Sequence, residues 1–369
     1  MQVNALLSPF SLLDVKTSRA PFLTLSLFLR YDGSGGKLDI LPLFVKLYHR
    51  LFLSTALILG LAFPGKAAQI TGLESPNSFV GDPSGKEYFI SNINGEPDAR
   101  DNNGFITKLN AEGKIIDLKF IQGGVADVLL HAPKGMALVG PILYIADLDQ
   151  LKAFDKASGK LFATVSFPTS PNMRVSLTDV AAAPGGVLYV TDQAANAIYR
   201  IDPSADHRVD LLIHDERLAG PAGIAIHPGT NHLITVSWEK GKILDITPGG
   251  QLTELESNGF FTGRFQNLSG VDFDQWGNMY VSDLTKGKIW RMTRDHRFQV
   301  IAEYLPAPAD ISIDRVNNLI LVPYHYMHAA EINGLETPSS AKPKGEKRTL
   351  ADYGFIPPPP KPGSEGTKK

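Results

Sequence analysis

The chain has no cysteine, which excludes disulfides, iron–sulfur clusters and thiol catalysis, and suits an oxidising compartment. Charge is sparse and balanced. With 36 Lys and Arg against 38 Asp and Glu, nothing favours a polyanion, and no nucleic-acid partner is expected. No Gly-x-x-x-x-Gly-Lys phosphate loop, dinucleotide fingerprint or Gly-x-Ser-x-Gly elbow occurs, which argues against nucleotide-driven work and serine hydrolase chemistry. The apolar run Leu51 to Phe63 spans about 13 residues, short of the roughly 20 that a membrane span needs.

What the chain does contain is a repeat. Gly135-Met136-Ala137 leads to Leu143-Tyr144-Ile145-Ala146-Asp147, and Asp179-Val180-Ala181 leads to Leu188-Tyr189-Val190-Thr191-Asp192. Gly223-Ile224-Ala225 precedes Leu233 to Ser237, and Gly270-Val271-Asp272 precedes Met279-Tyr280-Val281-Ser282-Asp283. Weaker copies start at Asp310 and Ser78. The anchors at 135, 179, 223, 270 and 310 lie 44, 44, 47 and 40 residues apart; the first gap, from 78, is 57 and holds a polar insertion. Short alternating strands with Gly, Pro and Asp turns at periods of roughly 40–50 residues define propeller blades. The expected fold is therefore all-β: a six-bladed β-propeller of four-stranded antiparallel blades over residues 69–336. Loops from every blade converge at the channel mouth, so function is sought there.

The ends differ. Residues 45–68 read as a signal peptide or membrane anchor, with Lys46, His49 and Arg50 before the apolar run and Pro64 to Ala68 as the cleavage region. Location is then periplasmic or secreted, with membrane contact only through an uncleaved N-terminal segment. Residues 1–44 are expected to be a non-native extension, the start lying near Val45 or Leu47. Residues 337–369, rich in Pro and Lys, have the composition of a disordered tail.

Glu74-Ser75-Pro76, Gly81-Asp82-Pro83, Asn92-Ile93-Asn94-Gly95, Ala132-Pro133-Lys134-Gly135, Thr178-Asp179-Val180 and Ala309-Asp310-Ile311 together resemble the gluconolactonase/regucalcin-like propellers, and among them an exported bacterial branch with no assigned activity. The resemblance covers about residues 73–335. It implies a divalent cation (calcium, zinc or manganese) at the channel mouth, polarising a lactone carbonyl and lowering the pKa of a water. Glu74 matches the family's first ligand by its Glu-Ser-Pro context. The family's Asn and Asp ligands have no match: Lys134, Thr178, Ala222, Ser269 and Ala309 stand before the anchors, and Asp179 and Asp310 occupy the anchor position itself.

Two functional expectations follow. The first is a binding propeller that holds a small molecule or an exported protein partner at the channel mouth, with Lys134, Thr178 and Ser269 as ligand contacts. The alternative is a metal-dependent lactone or ester hydrolase with Glu74, Asp179 and Asp310 on the metal and Asp179 or Asp310 as base. Each acid has a plainer reading as an acceptor of backbone N–H groups. Asp147, Asp192 and Asp283 recur at equivalent places and read as turn caps. The acidic insertion Gly95–Gly104 could hold calcium or form a rim over the channel. His325 and His328 are a weaker metal candidate, Arg264 another anion contact, and Trp238, Trp276 and Trp290 read as packing between blades.

Overall fold

A computed structural model describes residues 68–168, 174–259 and 263–336. The expected extension 1–44, the export segment up to residue 67 and the tail 337–369 lie outside these residues. Ala68, expected to end the export segment, opens the first strand instead, β1 (Ala68–Thr71).

Blade one comprises β2 (Pro76–Gly81), β3 (Glu87–Asn92), β4 (Phe105–Asn110) and β5 (Ile115–Gln122); blade two, β6 (Pro133–Val139), β7 (Ile142–Asp147), β8 (Gln150–Asp155) and β9 (Leu161–Ser166). Blade three comprises β10 (Leu177–Ala182), β11 (Leu188–Asp192), β12 (Ala197–Asp202) and β13 (Arg208–His214); blade four, β14 (Pro221–Ile226), β15 (Leu233–Ser237), β16 (Ile243–Ile246) and β17 (Leu252–Glu256). Blade five runs through β18 (Leu268–Phe273), β19 (Met279–Asp283), β20 (Lys288–Met292) and β21 (Phe298–Ala302). Blade six takes β22 (Ser312–Asp314), β23 (Leu319–Tyr324) and β24 (Ala329–Gly334), and its outermost strand is β1, paired antiparallel with β24 from Ala68↔Ile332 to Thr71↔Ala329. Every blade is thus a four-stranded antiparallel sheet. Both ends of the propeller meet in one blade, so closure ties the first described residues to the last strand.

The core lies between blades. Tyr144 and Leu151 of blade two pack with Val180 and Tyr199 of blade three, and Phe79 and Tyr88 of blade one pack with Leu321 and Ile332 of blade six. A single four-stranded sheet has two apolar faces and no partner of its own, so each blade is stable only against its neighbours. Among the described residues no helix is long and apolar enough to cross a membrane.

The repeat's anchor has a structural cause. In each of the five inner strands β2, β6, β10, β14 and β18 the register with the second strand slips at the anchor, as between Leu177 and Val180 or Leu268 and Val271. A bulge leaves its extra residue unpaired and re-aims it. The hydroxyl one residue before the end of the second strand then satisfies the freed backbone. Asp179 N–H donates to Thr191 Oγ1 at 3.0 Å, Gly270 N–H to Ser282 Oγ at 2.8 Å, and Ser78 N–H to Ser91 Oγ at 2.9 Å. Thr191 and Ser282 in turn donate to the next blade, to Ala222 O at 2.7 Å and Ala309 O at 2.6 Å.

Candidate functional site at the channel and its mouth

At the anchor level neighbouring blades pack closely on one another. A Cβ added at Gly135 would lie 2.2 Å from Asp179 Oδ1 and 2.4 Å from Asp179 Cα; one at Gly270 would lie 2.4 Å from Ile311 N. Glycine is required at both because the next blade's backbone approaches that closely. Asp179 and Asp310 stand at this level. They come from blades three and six, opposite each other in a six-bladed ring, and each lies near enough to influence the other's ionisation.

Asp179 is a blade tie. Its Oδ2 accepts the Ile224 N–H of blade four at 2.8 Å and its Oδ1 the Val180 N–H at 2.7 Å. Asp272 repeats the device one turn of the pleat further on, accepting from Phe273 N at 2.7 Å and, in the next blade, Ile313 N at 2.8 Å, with Arg315 beside it. Burial raises the Asp179 pKa well above the usual carboxylate range, and the Asp310 charge adds to the rise. Asp310 is pushed up to about 7, chiefly by burial, and the Asp272 charge adds to the rise. Burial and like charge thus both oppose full ionisation of the pair.

Glu74 sits elsewhere. Its backbone N–H is held by Asn92 Oδ1 at 3.0 Å, and its exposed carboxylate lies 3.3 Å from His328 Nδ1. That same Nδ1 also lies 3.0 Å from the Ser75 N–H, which donates to it. Among the described residues no three His, Asp or Glu side chains are grouped to hold a metal. Glu74 does not join Asp179 and Asp310 in one cage, and both oxygens of Asp179 already accept backbone donors. A hard divalent ion wants several converging oxygens, so this donor set does not fit the cation implied by the resemblance, and no step is derived through it.

The mouth offers different chemistry. Lys134, at the start of β6, has a side chain only 8% exposed. Its ammonium faces Asp98 Oδ1 at 3.9 Å, outside hydrogen-bonding distance. Burial lowers its pKa, and the nearby Arg174 adds to this, while Asp98, Asp147 and Asp192 oppose it. Asp147 is already engaged by the N–H groups of His131 and Ala132, and Asp192 by those of Ser176 and Ala195. Asp98 in turn lines a cavity of about 270 Å³, together with Arg100, Leu148, Asp149, Arg174, Val175 and Ser176; Lys134 lies behind Asp98 and is not itself on the wall. The insertion after β3 thus supplies one wall of this cavity through Asp98 and Arg100.

Thr178 and Ser269 are less available. The Thr178 hydroxyl donates to Pro221 O of blade four at 2.9 Å and touches Thr191 Oγ1 at 2.9 Å, so it stitches blades. Ser269 is half-buried, its carbonyl pressed against Gly223. Arg264 pairs with Glu256 at 3.4 Å and lies over Phe265 and Phe298. Trp238 and Trp290 pack on the core shared by blades four and five. A larger open groove of about 590 Å³ runs along the outer strands, from Ala163 to Pro168 with Asp206, His207 and Val209, away from the mouth. Sequence reasoning missed Asp98 and Arg174 as partners of Lys134, because nothing in their spacing brings the two loops together. It also missed Asp272, for which an acid in the alternating phase of an inner strand was the available signal.

This architecture defines a class, the six-bladed propellers, and solved structures agree. The chain is similar to virginiamycin B lyase from Staphylococcus aureus, at 15% identity over 73% of this chain and 99% of that one, with a TM-score of 0.53. A form of that lyase made catalytically inactive by a histidine-to-alanine change, with quinupristin, gives 16% identity over the same shares and a TM-score of 0.51. A protein provisionally assigned as a gluconolactonase gives 16% identity, 75% and 96% coverage and a TM-score of 0.55. No protein-family profile matches the chain, and no curated protein matches it. Likeness at these identities establishes the fold, and function has to come from the site.

Proposed function

We propose that the protein is a binding propeller that takes a small molecule at the channel mouth, in the cavity walled by the blade-one insertion and by the loop leading into blade three. One observation carries this reading: Lys134 is an almost fully buried ammonium whose nearest carboxylate is 3.9 Å away, set beside a cavity with two arginines on its wall. Burying a charge without close partners is costly, and a ligand oxygen would relieve that cost. The cavity is at the small end of ligand pockets, which run about 300–1,000 Å³. The same fold holds quinupristin in virginiamycin B lyase, so a propeller of this size suffices for a small-molecule site.

A melting-temperature screen of small molecules on the full chain, run beside Lys134→Met, tests the reading. Compounds that raise the wild-type melting temperature should lose most of that shift in the variant. If every stabilising compound acts equally on both, the mouth cavity is not the binding site.

A further inference from the structure

The position of Asp98 says more about the ligand. It sits on the insertion between β3 and β4, the stretch that makes the first repeat longer than the others. Its two oxygens divide between two cations from different blades: Oδ1 toward Lys134 Nζ at 3.9 Å and Oδ2 toward Arg174 Nη2 at 3.0 Å. Its side chain is 55% exposed and that of Arg174 69%, so neither is locked in place. The other acid on this wall, Asp149, is taken by Arg100 at 2.8 Å. Asp147 and Asp192, whose charges reach Lys134, are buried and accept backbone N–H groups, Asp192 through Oδ1 alone. Of the two acids lining the cavity, Asp98 is the one not held by Arg100, and its departure would leave Arg174 on the wall, and Lys134 beneath Asp98, without that carboxylate.

We infer that the ligand of this mouth site is a small molecule bearing one free carboxylate, and that Asp98 occupies the carboxylate's place until it arrives. The inference rests on the mouth-binding reading above and adds the ligand's chemical class. A carboxylate that bridges an ammonium and a guanidinium with separate oxygens matches what Asp98 already does, and a guanidinium fork suits that planar group. A free ligand can approach Lys134 to the usual charge-assisted distance of about 2.7–2.9 Å, which Asp98, tethered to its loop, does not reach. Asp98 therefore competes with the ligand, and its removal should favour binding.

The test is calorimetric titration of the full chain with acetate and with lactate, and with phosphate and chloride as comparison anions, at constant ionic strength. Asp98→Asn should bind acetate and lactate at least about tenfold more tightly than wild type, since 1.4 kcal/mol of lost competition is a factor of ten. Lys134→Met should abolish binding in both backgrounds, and Arg174→Gln should weaken it. Equal or weaker carboxylate binding by Asp98→Asn overturns the inference. So does phosphate or chloride binding as tightly as the carboxylates, because the site would then be a general anion site. If no carboxylate binds but compounds from the melting screen still depend on Lys134, the ligand class falls and the mouth reading stands. If binding of every kind survives Lys134→Met, with an unchanged melting temperature of the free variant, the mouth reading falls as well.

Discussion

Replacing Asp310 by Asn tests whether the carboxyl pair in the channel holds its proton. The folded chain raises Asp310 from its ordinary 3.8 to about 7, so between those values it retains a proton that the unfolded chain releases. Stability from this source is fully present below about pH 4 and is lost as pH rises through 7. A rise of about three units at 1.36 kcal/mol each sets a ceiling of about 4 kcal/mol, of which about 2 kcal/mol falls between pH 5.5 and 8. His227 and His325, lowered by burial, act with the opposite sign in the same window, so wild type alone does not isolate the effect. The readout is the difference in unfolding free energy between wild type and Asp310→Asn, from urea denaturation at pH 5.5 and pH 8. The introduced amide cannot ionise, and the Asp179 pKa is raised chiefly by burial, a cause that the substitution leaves in place. The variant should gain on wild type by about 2 kcal/mol between the two pH values. A difference that stays constant to within about 0.5 kcal/mol would refute the raised pKa of Asp310.

Two further outcomes follow from the blade ties. Thr191→Val removes the donor to Ala222 O and the acceptor for Asp179 N, leaving buried backbone groups unpaired, and should cost about 1–3 kcal/mol in denaturant unfolding, largely restored by Thr191→Ser. Gly135→Ala drives a methyl into the Asp179 backbone and should lower stability by about 1–3 kcal/mol or prevent closure; an unchanged midpoint would show that blades two and three are not in tight contact.

The period of the anchors, the alternation within Leu188 to Asp192 and the turn residues between strands are local properties, so the six blades and their four strands were legible from the chain. So was the capping role of Asp147, Asp192 and Asp283, because equivalent carboxylates at the end of equivalent strands meet equivalent loops. Even the competing readings of Asp179 could be stated, as ligand or as blade tie. Deciding between them needed the bulge at the anchor, since a one-residue slip reverses which way a strand residue points. That bulge aims Asp179 at Ile224 and Asp310 rather than at Glu74. Blade closure was open for the same reason: β1 and β24 are separated by nearly the whole described chain, and no local pattern pairs them. The mouth was the least legible part. Lys134, Asp98 and Arg174 belong to three segments, and only the stacking of blades around an axis brings them together. Sequence by itself determined what repeats at short range; tertiary structure decided everything that depends on which loops meet across the ring, because those contacts are set by closure and not by neighbours along the chain.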